Sequence, residues 1–289
     1  RGWTMDSVDW KMKTHPVSGI DGRLSLFNFR TGGLLLEETR LAIEQDSSGV
    51  RLKGSIENDN RKNPNRFTAT LDGEVKKNGF SVLTDFHDEH HVTGLNLGVK
   101  AGLEENGDIT LHLFPEESVI AYRKFKVNKN NFFTLGKDNH ISADISLMAD
   151  DDTGFKISTP LGDSTRDVTI SIANLNLNEL SSVFPILPHL GGKLSCDAHA
   201  QWIADTLSAV AQMDLRDFSF EECKFGNLST EMIYLPNGEN EHYVQASVYA
   251  EQQEVMNVEG NYQELDGGSI DATVLMTEFP VKLFNGFLS

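Results

Sequence analysis

Hydrophobic and polar residues alternate with a period of two over much of the chain. Ile141, Ala143, Ile145 and Leu147 take every other place, as do Val168, Ile170 and Ile172, and Leu194, Cys196, Ala198, Ala200 and Trp202. The same spacing recurs in Leu207, Ala209, Ala211, Met213 and Leu215, in Val244, Ala246, Val248 and Ala250, and in Ile270, Ala272 and Val274. Successive side chains of a strand point to opposite faces, so each segment predicts a half-buried antiparallel strand, dry on one face and wet on the other. Turn-forming clusters lie between the periodic blocks: Asp72-Gly73, Asn78-Gly79, Asn106-Gly107-Asp108, Lys137-Asp138-Asn139, Asn237-Gly238-Glu239-Asn240 and Asp266-Gly267-Gly268. Their spacing is that of a meander rather than of βαβ units.

Only two stretches read as helical. Residues 178–184 begin with Asn178 as a cap and place Leu180, Val183 and Phe184 on one helical face, after which Pro185 stops the turn. At the C-terminal end, Pro280 suits a first helical position and is followed by Val281, Leu283, Phe284, Phe287 and Leu288. No repeat of fixed period is visible, which argues against a propeller or a short-period solenoid. The pattern therefore predicts an all-β fold with one or two short helices. Roughly 18 strands paired in order at ~4.8 Å would make a sheet on the order of 85 Å long, too long to lie flat with one apolar face in water. Folding that sheet over lengthwise and splitting it into a β-sandwich both hide the face.

Composition narrows the partners. Lys and Arg number 25 against 43 Asp and Glu, a formal net charge of −18, so polyanions are repelled and nucleic acid is excluded as an expected partner. The 39% hydrophobic share is too high for a disordered chain. The densest apolar run, Val183 to Pro188, is far shorter than a membrane-spanning helix and holds two prolines. With no initiator Met or apolar leader at Arg1, the sequence reads as a piece of a longer protein or a processed product. Cys196 and Cys223 are compatible with one bridge or with two free thiols.

Groups that carry chemistry are sparse. His87, Asp88, Glu89, His90 and His91 form the densest set of potential metal ligands, but they lack zincin spacing on a helix and read as a polar turn. Asp150, Asp151 and Asp152 resemble the start of a calcium loop without its glycine and closing glutamate, and read as a hairpin tip. There is no Gly-x-Ser-x-Gly elbow and no phosphate cradle, and Cys196 lies on the apolar face opposite His199. Three Trp and five Tyr make a poor sugar platform, although a carbohydrate-binding sandwich stays open as an alternative. No catalytic residue, metal or cofactor is expected. A chain whose strongest pattern is one apolar face points to that face as a binding surface.

Three blocks carry a family resemblance. Ile109 to Phe125, with Phe114-Pro115-Glu116-Glu117 at its centre, and Asn131 to Ile145 resemble the translocation and assembly module TamB family, an AsmA-like group of the Bacteroides type. Asn174 to Leu180, followed by Leu190-Gly191-Gly192-Lys193-Leu194-Ser195, is similar to the strand, short helix and restart of that family. Thr277 to Phe287 resembles its recurring Phe-Pro segment, at Phe279-Pro280. The blocks cover roughly residues 109–289, and the earlier third is similar only in its general strand pattern.

The resemblance implies a β-taco, a long antiparallel meander folded into a trough with an apolar interior. It divides the chain into a first part of the trough at 1–177, a helical break at 178–190, and a second module at 191–289 ending in a short helix. It further implies an interior fragment of a periplasmic protein anchored to the inner membrane. Such a protein conducts phospholipid acyl chains between inner and outer membranes and supports outer-membrane biogenesis. Its partners would be adjoining modules of the same chain and a BamA-type barrel. In that trough the lining would be Ile141, Ile145, Leu147, Val168, Ile170, Ile172, Leu194, Ala198, Trp202, Val244, Val248, Ile270 and Val274, with Phe184, Leu187, Phe284 and Phe287 covering an end. In a closed sandwich the same residues would be ordinary core. A scaffold or chaperone that holds strands of outer-membrane or secreted proteins at its sheet edges is the second functional expectation.

Overall fold

A computed structural model describes residues 2–277, apart from 16–18, 32–33, 64–65, 138–139, 161–165, 184–187, 204–205, 222, 239 and 264–267. Among the described residues there are twenty strands and one helix, and the fold is all-β, an antiparallel meander. The chain forms two compact units. The first is Arg1–Asp138 with Ser182–Ile186, and the second is Asn139–Ser181 with Leu187–Ser289.

The first unit holds β1 (Trp3–Thr4), β2 (Ser7–His15), β3 (Gly19–Thr31), β4 (Leu34–Asp46), β5 (Gly49–Asn58), β6 (Phe67–Lys76), β7 (Gly79–Asp88), β8 (Thr93–Leu103), β9 (Ile109–Ile120), β10 (Arg123–Val127) and β11 (Phe132–Leu135). From β2 to β9 each strand pairs antiparallel with the next. β9 then carries β10 and β11 along its length, and β1 returns to pair with β3. The second unit runs in the same sequential way through β12 (Ile141–Met148), β13 (Gly154–Ser158), β14 (Arg166–Asn176), β15 (Leu190–Ile203), β16 (Thr206–Phe220), β17 (Cys223–Gly238), β18 (Glu241–Ala250), β19 (Gln253–Gln263) and β20 (Ser269–Met276). Among the described residues each unit is thus built of strands paired with their neighbours in the chain.

Register aligns the apolar positions into rows that cross the strands. In the first unit Leu24, Leu41, Gly54, Leu71, Thr84 and Leu97 are successive partners from β3 to β8. In the second, Ile145, Ile157, Ile170, Ala198, Ala211, Met232, Ala246, Val258 and Val274 form one row over all nine strands. A slip of one residue in any pair would turn that strand's apolar set to the wet face.

The rows are interrupted where strands kink, and side chains repair the ladder there. Asn28 has φ 51°, and across the pair at Glu37 the inward positions of β4 switch from Leu41 and Thr39 to Leu36 and Leu34. Fully enclosed Asn58 accepts from Glu37 N at 2.7 Å and donates to Leu35 O at 2.7 Å, so its amide replaces a peptide group of the ladder. Asn131 does the same between β10 and β11, accepting from Leu113 N at 2.6 Å and donating to Leu113 O at 3.1 Å. In the second unit Asn174 N donates to Ser195 Oγ at 3.1 Å and Asp217 N to Asn227 Oδ1 at 3.0 Å. The Asn227 backbone and side-chain amides both donate to Glu251 and hold its carboxyl below the ordinary range. Gly192, with φ 103°, sits at one of these kinks, where a Cβ would fall 2.5 Å from Arg216 O; no other residue type fits.

Two local expectations are corrected. Asp72-Gly73 is not a turn: both residues lie inside β6, and Gly73 is there because a Cβ would meet Leu52 Cβ at 3.3 Å across the pair. The expected helix forms as α1 (Leu177–Val183), capped by Asn176 Oδ1 on Asn178 N at 3.1 Å rather than by Asn178 itself. Pro185 and the C-terminal segment after Pro280 lie outside the described residues.

The ladder role of Asn58 is testable. Asn58→Leu keeps the volume but leaves Glu37 N buried without its acceptor, an expected loss of about 1–3 kcal/mol, read as a lower urea midpoint at unchanged slope. An unchanged midpoint would mean that the amide contributes nothing to the ladder.

Candidate functional site

The inward face of the first unit lines an open groove with a void of about 560 Å³. Its walls come from two neighbouring rows: Leu24 and Leu26 of β3, Leu41 of β4, Ile56 of β5, Ala69 and Leu71 of β6, Phe86 of β7 and Leu95 of β8. Leu34, Leu36, Phe67 and Val183 of α1 complete it. Six consecutive strands line one cavity, so this sheet is concave and the void crosses the strands. Five inter-strand spacings of about 4.8 Å span about 24 Å across the strands. Buried Leu34, Phe67, Phe86 and Val183 pack together, with Leu36, Ile56, Ala69, Leu95 and Tyr122 against them. Phe67 and Phe86 stack at 5.3 Å. Burial and the charge of Asp88 push the Tyr122 phenol above its ordinary value, against a contact from Ser182 that lowers it.

Two hydroxyls belong to these rows. Thr84 Oγ1 donates to Leu97 O at 2.9 Å. Thr39 Oγ1 is buried and has no hydrogen-bond partner among the described residues. The row between them, Arg40, Ser55, Thr70 and Asp85, also borders the void and is ionic: Arg40 bridges Glu38 at 2.7 Å and Glu57 at 2.9 Å, and Asp85 holds Asn96 at 2.6 Å and His87 at 2.7 Å.

The residues expected to line a trough are all in the second unit. Register puts Ile141, Ile145, Leu147, Val168, Ile170, Ile172, Leu194, Ala198, Trp202, Val244, Val248, Ile270 and Val274 on a single face of its sheet. Ile145, Leu147 and Val168 are buried, while Ile270 and Val274 on edge strand β20 are 75% and 52% exposed. Phe184, Leu187, Phe284 and Phe287 lie outside the described residues. The lining of the void in the first unit was not anticipated. Its signal was present in Val50, Leu52 and Ile56, but Gly54 breaks that alternation, and the kinks of β3 and β4 invert it.

The other candidates resolve as local structure. Asp88 Oδ1 accepts from His90 N and Val92 N, each at 2.9 Å, which makes the histidine-rich segment a turn. Both ring nitrogens of His87 are engaged, with Asp85 and with Thr93 Oγ1 at 3.1 Å. Among the described residues no group of three or more His, Cys, Asp or Glu is placed to hold a metal ion. Ala149 N donates to Thr153 O at 2.9 Å across the tip formed by the aspartates at 150–152. Cys196 and Cys223 are free thiols. His199 pairs with Asp167 on the face opposite Cys196. No helix among the described residues is long and apolar enough to cross a membrane.

No protein-family model, curated protein or solved structure matches the chain.

Burial, followed by the charge of Asp197, raises the Cys196 thiol above its ordinary value, so less thiolate is present at a given pH. In a Cys223→Ser background, the pH of half-maximal alkylation by iodoacetamide is expected above that of free cysteine. A midpoint equal to free cysteine would mean that this face is wet.

Proposed function

We propose that the chain is a non-enzymatic segment of a lipid conduit of the TamB kind, periplasmic, which holds phospholipid acyl chains against the apolar faces of its sheets on their way between inner and outer membranes. The observation that carries this reading is the void of the first unit, an apolar slot running across six strands. A hydrocarbon chain laid in it gains about 0.8 kcal/mol per buried methylene. Because the walls repeat strand after strand, the chain meets similar contacts as it advances. The acidic surface, net −18, keeps the sheets dispersed and gives anionic headgroups no site of their own.

A second reading rests on the edge strands. Among the described residues β2 pairs only with β3 and β20 only with β19, and Val8, Trp10 and Met12 of β2 stand half exposed. Open strand edges of this kind accept another strand, which favours a scaffold for outer-membrane or secreted proteins.

Native mass spectrometry of the purified chain, followed by solvent extraction, tests the first reading. The expected result is co-purified phospholipid of mixed chain length. Leu71→Asp places a charge in the slot, and Gly54→Leu fills it with hydrocarbon; a Cβ at Gly54 makes only ordinary contact with Leu71 Cβ at 3.5 Å. Both should lower lipid occupancy about tenfold or more, since one large apolar side chain is worth about 1.5–3 kcal/mol, while the circular dichroism stays that of a β protein. Ile170→Asp and Val248→Asp ask the same of the second unit. A lipid-free mass in the unaltered protein, with no uptake of a fluorescent phospholipid, would overturn the conduit and leave the strand scaffold.

A further inference from the structure

We propose that β2 is a dimerisation edge, on which a second copy of the chain pairs its own β2 antiparallel about a two-fold axis at Trp10. The inference stands whether or not the groove of the first unit holds hydrocarbon. Among the described residues β2 pairs only with β3, so one side of its backbone ladder is open, and such an edge gains its missing hydrogen bonds from another strand. Its apolar side chains are uncovered as well. Val8, Trp10 and Met12 are 51%, 58% and 51% exposed, although register sets them beside Leu26, Leu24 and Gly22 of β3 on the inward face.

The occupant follows from the order of residues along the edge. The segment Val8-Asp9-Trp10-Lys11-Met12 is complementary to itself when read in the opposite direction. With Trp10 opposite Trp10, Val8 meets Met12 twice on the apolar face, and Asp9 meets Lys11 twice on the polar face. Asp9 and Lys11 form an exposed ion pair along their own strand at 3.3 Å, so the dimer sets four charges of alternating sign around the axis. On β3 the residue opposite Lys11 is Arg23, a like charge, which an aspartate from the second copy offsets. Edge strand β20 does not match itself, because its one charged residue, Asp271, has no cation to meet. Pairing of β2 with β20 of a second copy gives at most one pair of opposite charges, and as a head-to-tail contact it grows into larger species. The β2 pairing uses the same patch on both copies and closes at two.

Sedimentation equilibrium of the full chain over a range of concentrations tests this, with a monomer–dimer equilibrium and no larger species as the expected result. Asp9→Lys and Lys11→Asp each set like charges opposite one another twice, and each is expected to raise the dimer Kd about tenfold. In an equimolar mixture of the two variants every lysine meets an aspartate, and the affinity is expected to return as a heterodimer. Trp10→Cys in a Cys196→Ser, Cys223→Ser background reads the register. Only a residue opposite itself can cross-link to its own copy, so oxidation is expected to join Trp10→Cys chains in pairs and to leave Val8→Cys chains single. A monomer at every concentration, a ladder of larger species, a mixture no tighter than the separate variants, or cross-linking of Val8→Cys in place of Trp10→Cys overturns the inference.

Discussion

Strand register is the constraint on which this molecule depends. An antiparallel pair places partners opposite one another, and because the side-chain period is two, a dry face exists only if every pair keeps the same parity. The row from Ile145 to Val274 holds that parity through eight successive pairings. A single slip would put charged residues such as Asp197 or Glu231 into it. The hydrophobic gain of each strand is therefore conditional on its neighbour's alignment, which is why the sheets grow in chain order.

That constraint meets a second one wherever a strand must bend. Bending breaks ladder hydrogen bonds, and an unpaired buried N–H costs as much as a lost bond. The protein answers with short polar side chains set one strand away: Asn58 and Asn131 in the first unit, Ser195, Asn227 and Glu251 in the second. An amide is the right shape for this, since it offers one donor and one acceptor in the plane a peptide group would occupy. At Glu37 the bend also swaps the inward parity, so Leu36 and Leu34 rejoin the apolar face that Leu41 and Thr39 line on the other side of the kink. The kink thereby helps build the slot.

The all-β class, the meander and the helical break were legible because they depend on local periodicity and on Asn, Gly and Pro chemistry. The one-faced apolar set of the second unit was legible for the same reason: β15 and β18 alternate cleanly from end to end. The slot of the first unit was not. It exists where side chains are missing, at Gly54 and Ala69 between larger Leu41, Leu71 and Ile56, and periodicity registers residues rather than the space between them. Gly73 misled in a related way, since a glycine that admits a cross-strand leucine looks in sequence like a glycine that makes a turn. Asn58 was invisible because its meaning depends on a partner 21 residues away.

Under the proposed conduit, sliding and holding ask different things of one surface. Uniform apolar rows make every position nearly equivalent, so a hydrocarbon chain would slide with small barriers, and the broad face of the second unit has that character. A groove with small residues in its floor, Gly54 and Ala69 between larger Leu41, Leu71 and Ile56, is not uniform. If the slot held every chain with the full worth of its methylenes, about 0.8 kcal/mol each, release would be slow and transport would stall there. Partial exposure of the neighbouring face at Val8, Trp10 and Met12 would moderate this, because hydrocarbon leaving the groove would still find apolar cover on β2. On the conduit reading, a graded run from more covered to half-exposed contacts would let one sheet both hold a chain and let it go.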